Sequence, residues 1–203
     1  MTATIDIAPA LAGETQIIAE MSRRLVEAGL PWTWTAARVA RHLQHPDSLV
    51  LAARNLCPGS PELAGFAIMH FGDEIAHLNL LAVQPRWQRK GIGRRLLAWL
   101  EKSAITAGTF SISLEVRARN RAGLLFYREL GFEDAGRIPR YYSGREDALR
   151  LAKDLRHPLA PPVPGLDVGT QALPAREEAS PGVARSTEEW LATRFRRRAS
   201  PRS

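Results

Sequence analysis

Two places in the sequence put reactive groups where folding alone does not ask for them. The first is Gln88-Arg89-Lys90-Gly91-Ile92-Gly93, two glycines among cations, set between an apolar strand pattern (HLNLLAV) and an apolar helix pattern (RRLLAWLEK). The opening N–H groups of a helix have no partner inside the helix, glycine has no Cβ to keep an anion away from them, and the helix dipole adds partial positive charge. Arg89, Lys90, Arg94 and Arg95 place full charges around the same point. Such a loop suits a pyrophosphate held mainly by main chain. It is neither the GxxxxGK[ST] loop of nucleotide hydrolases nor the GxGxxG of dinucleotide folds, and an ordinary basic helix start also accounts for it.

The second place is Glu115 inside SISLEVRA, an otherwise apolar strand pattern. A carboxylate there either serves as a proton acceptor, its pKa raised toward the working range by partial burial, or faces solvent and pairs with Arg117 two positions along the same face. Tyr127, in RAGLLFYRELG, offers a phenol to donate a proton or a ring at helical spacing to fill the core. Asn120, just ahead of that helix, is an N-cap by type. His77, in EIAHLNLLAV, is either an alternative base acting through water or a structural strand residue.

The elements that must position these residues alternate in texture. TATIDIA reads as a strand, GETQIIAEMSRRLVEAG as an amphipathic helix and TAARVARHLQH as a second helix. SLVLAAR, ELAGFAIMHFG and EIAHLNLLAV follow as three strands of an antiparallel meander, with turns at Gly59-Ser60-Pro61 and Gly72-Asp73. GIGRRLLAWLEKSAITAG is a helix stopping at Gly108, SISLEVRA a strand, RAGLLFYRELG a helix stopping at Gly131, and FEDAGRIPRYY and DALRLAKDL the last strands. Beyond residue 156 the chain turns rich in Pro, Ala and Gly without an apolar period, which cannot offset its ordering entropy. We therefore expect a domain over 1–156 and a disordered tail over 157–203, with a marginal helix at STEEWLATRFRRR.

Gln88-x-x-Gly91-x-Gly93, behind LLAV and ahead of an apolar helix, resembles the acetyl-CoA motif of the GNAT family of N-acetyltransferases. LEVRARNRAGLLFYRELGF (114–132), RYY (140–142) and EDALRL (146–151) are similar to the RimI branch of that family, which acetylates the N-terminal amine of a small-subunit ribosomal protein. The resemblance covers the chain from Leu80 to Leu155 and reaches the N-terminal part only through element order. It implies an α/β fold of the α+β kind, a mixed and mostly antiparallel sheet flanked by helices. It implies that acetyl-CoA lays its pyrophosphate on Arg89, Lys90, Gly91, Ile92, Gly93 and Arg94. Its pantetheine and acetyl carbonyl would meet the backbone of Leu81, Ala82 and Val83, where that strand splays from its neighbour, and Asn120 would touch it too.

Acyl transfer to an amine needs a base, because a protonated amine is no nucleophile, and gains from an acid, because the departing thiolate benefits from a proton. The resemblance assigns the base to Glu115 and the acid to Tyr127. It places Tyr141 and Tyr142 at the acceptor pocket and leaves Trp32 and Trp34 to line its entrance or staple the second helix. With no cysteine or serine placed as a covalent relay, direct transfer in a ternary complex is expected. An internal lysine or a small amine is the alternative acceptor, and a non-catalytic acyl-CoA-binding module the alternative function. Two departures touch the acceptor side: Leu80 stands where RimI-like sequences carry an asparagine, with Asn79 one earlier, and no basic residue follows the first strand.

With 203 residues, 45% apolar and 24% charged, the chain has the composition of a globular protein. One cysteine, Cys57, cannot form an internal disulfide, and the first twenty residues show neither a secretory nor a transit pattern, so a cytoplasmic protein is expected. No apolar run is long enough to span a membrane. His42, His45, His70 and His157 lack metal-ligand spacing, so no metal is expected. The net charge of +7 favours polyanions, and five arginines in the last ten residues favour nonspecific contact of the tail with RNA or the ribosome.

Overall fold

The structure is a computed structural model that describes residues 4–57 and 62–156. In chain order its elements are β1 (Ile5–Pro9), α1 (Thr15–Leu25), α2 (Ala36–Gln44), β2 (Ser48–Asn55), β3 (Glu62–Phe71), β4 (Ala76–Val83), α3 (Ile92–Thr106), β5 (Ser111–Arg117), α4 (Arg121–Glu129), β6 (Glu133–Tyr142) and β7 (Glu146–Asp154). Each strand and helix expected within these residues is present. The turn at Gly59-Ser60-Pro61, the tail with its short helix, and His157 lie outside the described residues.

The strands form one seven-stranded sheet in the order β1-β2-β3-β4-β5-β7-β6. Neighbours are antiparallel except β4 and β5, which run parallel because α3 crosses between them. On one face α3 buries Ile92, Leu96, Leu97, Leu100 and Ala104, a helical-period stripe, against Leu51, Met69, Leu78, Ile112 and Leu114 of the sheet, and α4 adds Leu124. On the other, Ile18, Ala19 and Met21 of α1 and Val39 of α2 pack with Val50, Phe66, Ile68, Leu80 and Ala82. The Thr35 hydroxyl caps α2 by accepting from the Arg38 N–H, and the Asn120 side chain caps α4 by accepting from the Gly123 N–H at 3.0 Å.

An irregularity in β4 decides which residues reach each face. Ile68 pairs with Leu80 but Met69 pairs with Leu78, leaving Asn79 as an extra residue, a β-bulge. Before it Ala76 and Leu78 face α3; after it Leu80 and Ala82 face α1 and α2, while Leu81 and Val83 turn toward α3. The displacement of the asparagine by one position in the sequence thus coincides with the residue that flips the strand.

Candidate active site

The parallel pairing of β4 with β5 stops after two rungs, Ala76↔Ile112 and His77↔Ser113. Beyond them β4 stays paired with β3 as far as Val83, and β5 stays paired with β7 as far as Arg117. The two strands therefore fork, and the β4 edge from Leu78 to Val83 faces the fork with no strand partner on that side among the described residues. Leu81, Ala82 and Val83, singled out in the sequence, lie along this edge.

At the open end of the fork Pro85–Trp87 makes one 3₁₀ turn and the glycine loop leads into α3. Gln88 donates its side-chain N–H to Val83 O at 3.0 Å, tying the loop to the strand end. Arg89 and Gly91 are left-handed, with φ of 60° and 77°. The first helical bond runs from Arg95 N–H to Gly91 O at 3.0 Å, so the amides ahead of it have no partner within the helix. A Cβ on Gly91 would meet nothing within 4 Å, which leaves that side open, whereas one on Gly93 would press on Phe126 of α4 at 3.2 Å. Gly93 is thus explained by helix packing as well as by access to the amides. Lys90 Nζ lies 4.5 Å from the centroid of the Trp87 ring, close beside the loop. Arg95 departs from expectation: it donates to Ile5 O of β1 at 3.0 Å, away from the loop.

One wall of the fork carries a chain of polar side chains. Glu115, on β5, accepts at Oε1 from Arg150 Nε of β7 at 2.9 Å, and its Oε2 lies 3.2 Å from His77 Nε2 of β4. His77 Nδ1 in turn lies 3.1 Å from Ser113 Oγ. Burial pushes the Glu115 carboxyl up, but hydrogen bonds and charge from His77 and Arg150 outweigh it and hold the group below the ordinary carboxylate range. The expected upward shift is therefore corrected in sign, and the alternative of a pairing with Arg117 gives way to His77 and Arg150. Ser113, His77 and Glu115 have the bonding order of a nucleophilic triad. Ser113 is only 1% exposed and sits mid-strand, so it has no access to an acyl group.

Tyr127 packs on the α3 side, edge-on to Phe126 (5.1 Å) and Phe132 (5.5 Å). Burial, with a smaller contribution from Tyr142, pushes its phenol well above the ordinary range. Tyr142 donates to the Glu115 carbonyl at 3.3 Å and stands edge-on to Tyr141, 4.9 Å away. The hairpin carrying both tyrosines is irregular: β6–β7 pairing breaks between Ile138 and Tyr142, and Arg140 and Ser143 take positive φ. Opposite it, the loop from Val26 to Thr35 is held from inside by Glu27, which accepts from Thr33 N–H (2.7 Å) and Thr33 Oγ1 (2.6 Å). Trp34 is core; Trp32 is partly exposed, with Nε1 donating to Trp34 O at 3.1 Å.

Arg117 links these walls. It donates to Val26 O (3.2 Å) and Ala28 O (2.9 Å), pairs with Glu146 at 3.6 Å, and lies 5.5 Å from the centre of the Tyr142 ring. Sequence reasoning missed Arg150, Ser113 and this use of Arg117. An arginine inside the apolar run DALRLAKDL was the available signal for Arg150, but the register that sets it opposite Glu115 is a property of the sheet. Among the described residues no group of three His, Cys, Asp or Glu is arranged to hold a metal, and no helix is long and apolar enough to cross a membrane.

Residues 18–132 match the acetyltransferase (GNAT) family. A Salmonella typhimurium relative, ribosomal protein bS18-alanine N-acetyltransferase, is 41% identical over 93 residues, 44% of this chain, and the chain spans 63% of that protein's length. The N-alpha-acetyltransferase RimI of Mycobacterium tuberculosis is 32% identical over 163 residues, 77% of this chain and 97% of the relative. Among solved structures, the ribosomal-protein-S18-alanine N-acetyltransferase of Escherichia coli superposes with a TM-score of 0.64 at 28% identity, covering 75% of this chain and 94% of that one.

Proposed function

The chain belongs to the acetyltransferase (GNAT) family, and from that premise we propose that it moves an acetyl group from acetyl-CoA to the α-amine of a protein N-terminus, in the first place an N-terminal alanine of a ribosomal protein. The observation that carries this reading is the fork: a strand edge without a strand partner among the described residues, a helix start whose first amides have no partner within the helix, and a buried Glu115 held below the ordinary carboxylate range border one opening. The likeness to N-terminal acetyltransferases, one of them matched over 97% of its length, favours an α-amine over a lysine or a small amine.

In this reading the amides and cations from Arg89 to Arg94 hold the pyrophosphate, and the β4 edge at Leu81, Ala82 and Val83 takes the pantetheine amides as a third strand would. Acetyl-CoA supplies an activated acyl group. The chain's own residues manage protons: Glu115 takes the one that keeps the amine from attacking, and Tyr127 supplies the one the thiolate needs. A phenol pushed well above its ordinary range stays protonated at neutral pH, as an acid must until the sulfur departs. With Ser113 out of reach, transfer is direct. Asn120 flanks the cofactor side from the start of α4. Trp32, Tyr141 and Tyr142 frame the acceptor, and a ribosomal acceptor sets the reaction in the cytoplasm. The arginine-rich tail plays no part in this proposal.

The test is release of the CoA thiol from acetyl-CoA by the purified chain. A peptide with a free N-terminal alanine is compared with the same peptide N-acetylated and carrying an internal lysine, and with small amines. Turnover restricted to the free α-amine is expected. Faster turnover with lysine or a small amine would replace the acceptor class, and acetyl-CoA binding without turnover of any amine would make the chain a binding module.

A further inference from the structure

Glu115 is held from both neighbouring strands. Arg150 on β7 stands directly opposite it in register and donates its Nε–H to Oε1 at 2.9 Å, while His77 on β4 lies 3.2 Å from Oε2. Arg150 thus gives the carboxylate one nitrogen, not the two-nitrogen fork in which arginine often clasps such a group. On β6 the residue opposite Arg150 is Gly136, which has no side chain to compete for the guanidinium. The side chains of Arg150 and Glu115 are 18% and 8% exposed, and an apolar pair of similar volume often serves stability as well as a buried ion pair or better. The fold by itself does not ask for this one. Glu115 comes just after the last rung joining β5 to β4, at Ser113, so it stands at the root of the fork. The bonds from His77 and Arg150 leave acceptor sites on both its oxygens.

From this geometry we propose that Arg150 is a positioning residue for acetyl transfer: its bond to Oε1 fixes the Glu115 carboxylate at the root of the fork, so that the acceptor sites left open meet the incoming amine. This rests on the acetyl-transfer reading above. A guanidinium does not give up its proton, so Arg150 takes no part in moving protons and acts only through Glu115. It also keeps that carboxylate ionised. Burial pushes the Glu115 carboxyl up, and His77 and Arg150 together pull it down. Without Arg150 burial is opposed by His77 alone, so Glu115 takes up its proton at a higher pH. The other titratable groups facing Glu115 are His77 on β4 and Tyr141 and Tyr142 on β6.

The experiment measures three things in the full chain and its variants: kcat and KM for the N-terminal peptide, acetyl-CoA affinity by calorimetry, and the Glu115 carboxyl titration by carbon-13 NMR, with Glu115→Gln identifying the resonance. Arg150→Met, which keeps the stem, should lower kcat by about tenfold or more, leave acetyl-CoA affinity unchanged and move the Glu115 titration to higher pH. Arg150→Lys, which can still give one N–H to Oε1, should recover most of the rate and most of the titration shift. Combined with Glu115→Gln, Arg150→Met should cost nothing further, because its effect passes through that carboxylate. Arg150→Gln, a milder change, carries the test if the methionine variant does not fold, and its Glu115 titration should move the same way. An Arg150→Met kcat equal to the parent's, an Arg150→Lys variant as slow as Arg150→Met, a further loss in the double variant, or an unmoved titration in Arg150→Gln would overturn the proposal. Glu115→Gln separates the two readings. If it is slow while Arg150→Met matches the parent, this inference falls and Glu115 stands as base; if Glu115→Gln itself matches the parent, the assignment of Glu115 falls.

Discussion

The two faces of the sheet are made by the same strands and carry opposite chemistry. Under α3 and α4 the cluster is apolar throughout, from Ile7 and Leu51 across to Leu151 and Leu155. Under α1 and α2 an apolar patch around Phe66 and Ile68 gives way to polar residues: Ser113, His77, Glu115 and Arg150 joined in one chain of contacts, with His70 bonded to Ser48 and Arg117 to the Val26 carbonyl beside them. The first face supplies rigidity, and in the proposed reading recognition beside it falls to the backbone, at a helix start and a strand edge. The second face works through side chains, each dependent on its neighbour. Changes on the first should therefore act one at a time, and changes on the second should couple.

The largest effect expected on the apolar side comes from Tyr127, whose ring packs on Phe126 and Phe132 while its hydroxyl is reserved for chemistry in the reading above. Tyr127→Phe keeps the ring, so acetyl-CoA affinity and melting temperature should hold while kcat drops by about 100-fold or more. Single-turnover kinetics reads the step directly. A parent-like kcat would mean that the thiolate leaves without this acid, and the apolar face would be structural only.

The same contrast explains what was legible in the sequence. Helix stripes, the glycine loop and the strand–helix order follow local periods, and each appeared where its residues predicted it. The polar face depends on pairings between residues far apart in the chain: His77 reaches Ser113 and Glu115 only because α3 brings β5 alongside β4, and Arg150 faces Glu115 only through the β5–β7 register. Glu115 could be singled out as misplaced in an apolar strand, yet the sign of its shift could not, because burial was visible in the sequence and its two cationic or donating partners were not. Asn79 looked like a departure from a pattern until the bulge gave it a place.

Gly91 tests whether the apolar side truly recognises by backbone. At φ 77° a β-branched residue is strained, and among the described residues no atom beyond its chain neighbours lies within 4 Å of the position its Cβ would take, so any further obstruction would fall on a ligand. Gly91→Val should weaken acetyl-CoA binding at least about tenfold, or about 1.4 kcal/mol. Gly91→Asn, which tolerates the left-handed region, should lose less. Calorimetry on both variants separates strain from obstruction, and unchanged affinity in a folded Val variant would reduce the loop to a helix start.

A smaller effect is expected at Arg117, which joins the Val26–Thr35 loop to the β6–β7 hairpin and has no contact with the β4 edge of the fork among those that hold it. Arg117→Met retains the stem and releases both walls. The KM for the acceptor peptide should rise several-fold, roughly 1 kcal/mol for the lost charged hydrogen bonds, with acetyl-CoA affinity unchanged. Equal changes in both would show that the two faces are not separable.

The smallest effect concerns stability and pH, and it follows from titratable groups being gathered on the α1/α2 face. His42 stacks near Trp34, with ring centroids 5.0 Å apart, and its Nδ1 lies 3.0 Å from Ser48 Oγ. Burial, then the positive charge of Arg38 and the neighbouring His70, His45 and Arg41, lowers its pKa from the ordinary 6.5. A group with a depressed folded pKa is protonated first in the unfolded chain, so the unfolded state binds more protons as pH falls below 6.5, and stability declines from there until the folded pKa is passed. Glu115 and Glu14, also depressed, keep their contribution until pH falls below the ordinary carboxylate value of 4.5, which leaves the window near pH 6 to the histidine. The melting temperature should therefore fall by a few degrees between about pH 7.5 and 5.5, and His42→Gln, which cannot be protonated, should flatten that slope. An equal slope in the variant would place the proton uptake elsewhere on the polar face, with His70 and His45 the next to substitute.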